Sequence, residues 1–214
     1  MKIYIASATI LEIEPLLDSS LLREHKLVIT GIGGISTAYQ LSKVIAAERP
    51  DLIIQAGIAG AFNEALHLGS VVAVERDRIA DLGVMENNQW KDVFDLGLTR
   101  SDEEPFDNGW LKNESNIIKR SGLQTVNAIT INEITTAASR ISELKSKYDP
   151  SIESMEGAAL HYVCLQEKIE FLQLRAISNY IGERDKSKWK MKLAIKNLND
   201  ALTDLIEKTK SVLA

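Results

Sequence analysis

Along the chain, short runs of branched apolar residues alternate with longer stretches in which apolar side chains recur every three or four positions. The short runs predict strands at 2–6, 26–30, 51–56, 70–74, 123–127 and 171–178. The longer stretches predict amphipathic helices at 37–49, 108–121, 133–147 and 156–168, and a long terminal one at 188–212. Pro50 and Pro150 follow two of these helices, as stop signals do. Strands that alternate with helices imply an α/β fold with a largely parallel sheet, because parallel neighbours need a crossover between them. No fixed-period repeat, low-complexity tract or Gly/Ser/Pro-rich linker interrupts the pattern, so residues 1–214 are expected to form one domain. The segment 75–107 departs from it. That segment is polar, contains Asp102-Glu103-Glu104-Pro105, and carries exposed-looking Trp90, Phe94 and Phe106. A loop of such length inside a compact domain is expected to be functional or mobile.

Composition narrows the partners. With 45% hydrophobic and 26% charged residues, the 214-residue chain can bury a full core. It needs no disulfide staple, and it has a single cysteine, Cys164. Twenty-five basic residues against thirty acidic ones give a net charge of −5, the wrong sign for a general nucleic-acid or anionic-membrane binder. No run reaches the eighteen apolar residues of a membrane span, and the first ten residues lack the features of a cleavable signal. A cytoplasmic protein with a small-molecule partner is the expectation. His25, His67 and His161 fall in no metal-ligand spacing, which disfavours metal catalysis.

Ligands of open parallel sheets bind beyond the carboxyl ends of the strands, so the residues that follow each strand matter most. After the second predicted strand comes Gly31-Ile32-Gly33-Gly34-Ile35-Ser36, a partial dinucleotide fingerprint with Ser36 where a third glycine is wanted. By itself it describes a tight turn with glycines at positive φ. Ala56-Gly57-Ile58-Ala59-Gly60 follows the third strand, and two such turns side by side let backbone N–H groups approach a ligand. Ser154-Met155-Glu156-Gly157-Ala158-Ala159 sets a carboxylate at the start of a helix of small residues. Arg175-Ala176-Ile177-Ser178-Asn179-Tyr180 ends an apolar strand in polar groups. Arg175 inside that strand needs a carboxylate partner, for which Glu12, just after the first strand, is a candidate.

Together these segments resemble the purine nucleoside phosphorylase and nucleosidase superfamily, whose methylthioadenosine nucleosidases carry a Met-Glu pair and an Arg-Ala-Ile-Ser-Asp strand end. The resemblance runs from Met1-Lys2-Ile3 to the terminal helix. It implies a three-layer α/β/α fold with a mixed, largely parallel central sheet, a homo-oligomer, and no cofactor. Within the superfamily, Gly57-Ile58-Ala59-Gly60-Ala61-Phe62, Ala80-Asp81-Leu82-Gly83 and the stretch from Ser178 to Asp185 are most similar to the futalosine hydrolases of the alternative menaquinone pathway.

Phosphorylases of this superfamily grip phosphate with arginines in two turns; the matching segments here, Ser7-Ala8-Thr9-Ile10-Leu11-Glu12 and Ile54-Gln55-Ala56-Gly57, hold none. Glu12 matches the nucleosidases' water-activating glutamate, which implies hydrolysis. If Glu12 were merely an exposed helix charge, it would resemble Glu14. Glu156 matches the acid that accepts the ribose 2′,3′-diol and stabilises positive charge on the ring, with Met155 against the sugar face and Arg175 orienting a carboxylate. Asn179 stands where adenine-specific nucleosidases have an aspartate that protonates N7. An amide cannot act as that acid, but it can donate to N7 or to a 6-oxo group, which implies hypoxanthine as the base.

Other positions depart from the nucleosidase pattern. Ile58 replaces a serine, and Thr130, followed by Ile131, replaces an aromatic residue that stacks on the base. The stretch 17–26 is too short for the extra hairpin nucleosidases place there. The expected reaction is water-dependent cleavage of futalosine to hypoxanthine and dehypoxanthine futalosine. Arg76, Arg78, Trp90, Phe106, a partner subunit or, less economically, Arg184 would meet its aryl-carboxylate tail. A methylthioadenosine/S-adenosylhomocysteine or aminofutalosine nucleosidase is the alternative, with Asn179 against it. A non-catalytic purine-nucleoside sensor on the same fold is another.

Overall fold

The computed structural model describes residues 1–211. Each apolar run becomes a strand. The chain begins with β1 (Ile3–Ser7), α1 (Ile10–Ile13), a 3-10 turn (Glu14–Leu16), α2 (Ser20–Glu24), β2 (Lys26–Ile29), α3 (Gly34–Ala47) and β3 (Leu52–Ala61). The middle comprises β4 (Val71–Asp77), β5 (Gly83–Glu86), β6 (Gln89–Asp92), β7 (Leu111–Lys112), α4 (Asn116–Ser121) and β8 (Gln124–Thr130). It closes with α5 (Ala138–Tyr148), β9 (Ile152–Ser154), α6 (Gly157–Glu167), β10 (Glu170–Tyr180), a second 3-10 turn (Lys186–Lys188) and α7 (Met191–Ser211).

The ten-residue β3 is the hub. β10 lies parallel along its whole length, while its other side pairs first with parallel β1 and then, through Gly60 and Ala61, with antiparallel β9. From β10 the sheet passes through antiparallel β4, then β8, then β9, and so returns to β3. Five strands therefore close a ring, and β1 with edge strand β2 extends from it. Ala61, Val72, Val126, Ile152 and Ile177, one from each ring strand, pack together. Alternation along the strands supplies both outer faces. Ile3, Ile5, Ile54 and Leu172 pack against α7 and α4, whereas Tyr4, Ala6, Ile53 and Phe171 pack against α3 and α6. Strands buried on both faces give unbroken apolar runs, which makes them legible in the sequence. The result is a mixed central sheet between helical layers.

Several elements differ from expectation. The helix predicted at 108–121 is only α4, because Asn108 and Gly109 take positive φ of 50° and 75° and Leu111–Lys112 pairs with β4 instead. The helix predicted from residue 133 starts at Ala138. The missing hairpin at 17–26 is replaced by α2, which leaves β2 as the edge. Val212 lies outside the described residues.

The segment 75–107 is not a loop over the site. It forms the end of β4, the β5–β6 hairpin and a packed box around Arg78. The buried Arg78 guanidinium bonds Asp92 at 2.8 Å and sits 4.2 Å from the Tyr148 ring centre, 5.2 Å from Trp110 and 5.7 Å from Phe94. The Tyr148 hydroxyl donates to Asp92 at 3.0 Å and accepts from Trp90 Nε1 at 2.9 Å. Trp90, Phe94 and Phe106 are thus half-buried structural side chains. Among the described residues, no helix is long and apolar enough to cross a membrane.

Candidate active site

At the carboxyl ends of β1, β3 and β10 lies a cavity of about 300 Å³. Its walls include Glu12, Ile58, Gly60, Ile131, Met155, Glu156 and Asn179.

Glu12 arrives there because α1 starts shortly after β1, with Thr9 as its N-cap. Glu12 reaches back in the manner of a capping box. Its Oε2 accepts from the Thr9 N–H at 3.0 Å, the Thr9 hydroxyl at 3.1 Å and the Ser7 hydroxyl at 3.3 Å, while Oε1 accepts from the Ile58 N–H at 3.1 Å. Glu12 is 7% exposed, whereas Glu14 is on the surface, so the two acids are not equivalent.

Glu156 is the N-cap of α6, and 6% of it is exposed. Its Oε1 accepts from the Gly33 N–H at 3.1 Å and its Oε2 from Arg175 Nη1 at 3.5 Å. Gly33 has φ 88°, and the Ser36 hydroxyl donates back to the Thr30 carbonyl at 2.7 Å. The glycine turn is therefore a tight strand-to-helix turn that also delivers a backbone donor to an acid.

Arg175, 1% exposed, lies beneath the cavity floor and not in its wall. Its shortest bond goes to Gln55 Oε1, at 2.8 Å from Nη2. The carboxylate paired with it is Glu156; Glu12, the candidate partner, instead accepts from Thr9 and Ser7 through Oε2 and from Ile58 alone through Oε1. Gly57 permits this crowding: a Cβ there would collide with the Arg175 guanidinium and lie 3.1 Å from Glu12 Oε1.

Asn179 owes its position to a bulge. β10 and β3 shift register between Ile177 and Asn179, which leaves Ser178 as the extra residue. The Ser178 hydroxyl donates to Asn179 Oδ1 at 2.8 Å, and Nδ2 donates to the Tyr180 carbonyl at 3.1 Å. The amide is thereby oriented with one of its two N–H groups uncommitted among the described residues.

Thr130, like Arg175, is a sequence candidate that the structure does not bring into the cavity wall. Its hydroxyl donates to Asp77 at 2.9 Å and accepts from the Ala158 N–H at 2.8 Å. Ile131 lines the cavity in its place. Of the residues considered for an aryl-carboxylate tail, Arg184 lines the wall, whereas Arg76, Arg78, Trp90 and Phe106 do not.

Sequence reasoning missed a buried polar layer behind these groups. Gln173 Nε2 donates to Asp77 at 3.2 Å, and His161 Nδ1 contacts the Leu111 carbonyl at 2.9 Å. Burial pushes the Asp77 carboxyl up to about 6, against the opposing pull of Thr130, Gln173 and Arg175. Burial brings His161 down to about 4. The signal is present in the sequence, since Gln55, Gln173 and Arg175 interrupt otherwise apolar strands. Among the described residues, no group of three or more His, Cys, Asp and Glu side chains is placed to hold a metal ion.

Residues 23–214 match the profile of the family described as the phosphorylase superfamily. The chain belongs to this superfamily. Relatives of this chain include proteins named futalosine hydrolase. The protein of Thermus thermophilus is 31% identical over 83% of this chain and 79% of its own length. That of Streptomyces coelicolor is 29% identical over 84% and 77%. The crystal structure of a 5′-methylthioadenosine/S-adenosylhomocysteine nucleosidase from Helicobacter pylori with butyl-thio-DADMe-Immucillin-A superposes with a TM-score of 0.81, covering 97% of this chain and 98% of that one. At 16% identity, that likeness speaks for the fold alone.

Proposed function

We propose that this chain is a futalosine hydrolase, which cleaves the N-glycosidic bond with water and releases hypoxanthine. The observation that carries the reading is the convergence of Glu12, Glu156 and Asn179 on one cavity, in a chain whose relatives bear that name.

Glu12 takes a proton from water as the water oxygen bonds to the ribosyl anomeric carbon. The glycosidic bond breaks with its electron pair passing to the purine, which takes up a proton from solvent to leave as neutral hypoxanthine, while Glu12 returns the water proton to solvent. Positive charge grows on the ribosyl ring in between, and the Glu156 carboxylate stabilises it while accepting the sugar hydroxyls. Arg175, fixed by Gln55, holds Glu156 in orientation. Met155 packs the sugar, and Ile58 and Ile131 contribute apolar wall. The uncommitted Asn179 N–H donates to N7 or the 6-oxo oxygen of the departing base. Arg184 is the cation for the tail carboxylate. Thr130 takes no part in binding and braces the floor through Asp77.

Phosphorolysis is disfavoured because the Ile58 N–H already serves Glu12 and the Arg175 guanidinium is bonded to Gln55 and Glu156. An incoming phosphate would meet a carboxylate there. Water and a nucleoside are the proposed reactants, with no cofactor, in a cytoplasmic homo-oligomer. Incubating the protein with futalosine, aminofutalosine and methylthioadenosine, and following the free base by chromatography, tests the reading. Hypoxanthine from futalosine without added phosphate is the expected outcome, and adenine from the other two with no hypoxanthine would reject it.

A further inference from the structure

Helix α6 begins on an acid whose side chain makes no hydrogen bond to the helix. The N-cap side chain of a helix ordinarily accepts from the N–H two or three residues on, as Ser115 does for Ile117 at 3.2 Å at the start of α4. Glu156 takes the N-cap place of α6 with φ −127° and ψ −17°, outside the extended backbone usual there, and forms no such bond. Its carboxylate turns instead to the Gly33 N–H and Arg175, in the cavity wall. The Glu156 carbonyl accepts from Ala159 and Leu160. That leaves the N–H of buried Ala158, the donor an N-cap side chain would serve, to be met from elsewhere.

It is met from β8. Thr130 Oγ1 accepts from the Ala158 N–H at 2.8 Å. Thr130, 4% exposed, donates its own proton to Asp77 Oδ1 at 2.9 Å, and this turns the hydroxyl lone pairs towards the helix. Asp77 is buried, and Gln173 Nε2 donates to its other oxygen at 3.2 Å. Gly157, the first residue of α6, makes the approach possible, because a Cβ there would lie 2.1 Å from Asp77 Oδ2. The Asp77 carboxylate thus sits against the first turn of α6, where the helix dipole favours an anion.

We propose that Thr130, aligned by Asp77, is a positioning residue: it serves as the N-cap acceptor of α6 in place of Glu156 and so frees the Glu156 carboxylate for the sugar. The inference rests on the nucleosidase reading above, in which Glu156 accepts the ribose hydroxyls. A main-chain donor stranded in the interior is costly, and nearly all such donors are paired. With the Thr130 acceptor gone, the Glu156 carboxylate, two residues back along the chain, is drawn to the Ala158 N–H and away from Gly33. Thr130 touches no substrate, and its effect falls on the sugar half of the pocket.

The test is Thr130→Val, which keeps the β-branched shape and loses the acceptor, with Thr130→Ser as the conservative variant that retains it. A crystal structure of Thr130→Val decides the geometry independently of activity. Glu156 parted from the Gly33 N–H and turned to Ala158 is the expected result, and a carboxylate still on Gly33 and Arg175 overturns the proposal. With futalosine we expect kcat/KM to fall roughly 10- to 100-fold in Thr130→Val and to stay within about threefold of wild type in Thr130→Ser. Calorimetric binding of free hypoxanthine, which has no sugar, should hold within about twofold in both. Equal losses of kcat/KM and of hypoxanthine affinity, or a serine variant as poor as the valine one, would assign Thr130 a purely structural role and overturn the proposal. If wild type cleaves no nucleoside, the nucleosidase reading is wrong, while the crystal structure still decides whether Thr130 caps α6. Should Thr130→Val not fold, Thr130→Cys is set against Thr130→Ser, since a thiol is a much weaker acceptor on a side chain of the same shape. A kcat/KM about tenfold lower for Thr130→Cys is expected, and equal values overturn the proposal.

Discussion

Two arginines lie buried in this molecule, and they are held in opposite ways. Arg78 has its carboxylate at 2.8 Å and aromatic rings on several sides. Asp92 is further satisfied by Tyr148, and by Lys147 at 3.4 Å. That box is closed, and none of its side chains lines the cavity. Arg175 makes its best bond to a neutral amide and meets Glu156 only at 3.5 Å, while Glu12 and Glu156 both line an open space. A cation whose partners are saturated serves stability. One whose acids retain free lone pairs towards a cavity is arranged for a third party. The comparison explains why Arg78, attractive in the sequence, is the wrong arginine for a ligand.

The strongest way to break this contrast is Glu12→Gln. We expect base release to fall about 10²- to 10⁴-fold with little change in unfolding free energy, while hypoxanthine binding stays within about tenfold. Wild-type turnover in that variant would remove Glu12 from the chemistry. Next is Arg78→Met, which removes the guanidinium from Asp92 and from the surrounding rings and should cost about 3–5 kcal/mol by denaturant unfolding. Turnover per folded molecule should persist, and its loss would mean the two clusters are one functional unit.

A third experiment addresses the layer behind Arg175. The Asp77 pKa is raised from 3.8 to about 6, so the native state binds the extra proton between those values and its contribution to stability is lost as pH rises through them. The His161 pKa is lowered from 6.5 to about 4, so its contribution is lost as pH falls through the same range. The two slopes oppose each other. Asp77→Asn, to which Gln173 can adapt by turning its amide, should therefore unmask a stability that climbs with pH between about 4 and 6, by up to ~3 kcal/mol relative to wild type. Parallel curves would show that Asp77 does not titrate there. The smallest effect expected is from Asn179→Asp, which should reduce cleavage of 6-oxopurine nucleosides more than of 6-aminopurine ones, by about 1–3 kcal/mol in selectivity. Equal reductions would deny Asn179 its part in base choice.

What is legible in the sequence depends on how many residues carry each signal. Strands such as β3 and β10 are long and buried on both faces, so composition alone marks them, and Glu12, Glu156 and Asn179 are conspicuous because they follow strands or open a helix. β9 has three residues, Ile152-Glu153-Ser154, and becomes a strand only by inserting between β8 and β3. No local periodicity can announce that. Thr130 is misleading because position in a motif does not fix direction: it ends β8 turned towards Asp77, and the next residue reaches the cavity. The helical pattern at 108–115 is overridden at Gly109, where a Cβ would press within 3.0 Å of Arg78 and of Phe94.

The donors that fix the two acids at the floor include the main-chain N–H groups of Ile58 and Gly33. Main-chain amides survive changes of side chain. Ile58 can thus occupy a position where nucleosidases use serine without disturbing the anchor of Glu12. Under the proposed function, libraries at the wall residues Ile58 and Ile131 would reshape which nucleosides enter while Glu12 and Glu156 keep their main-chain anchors.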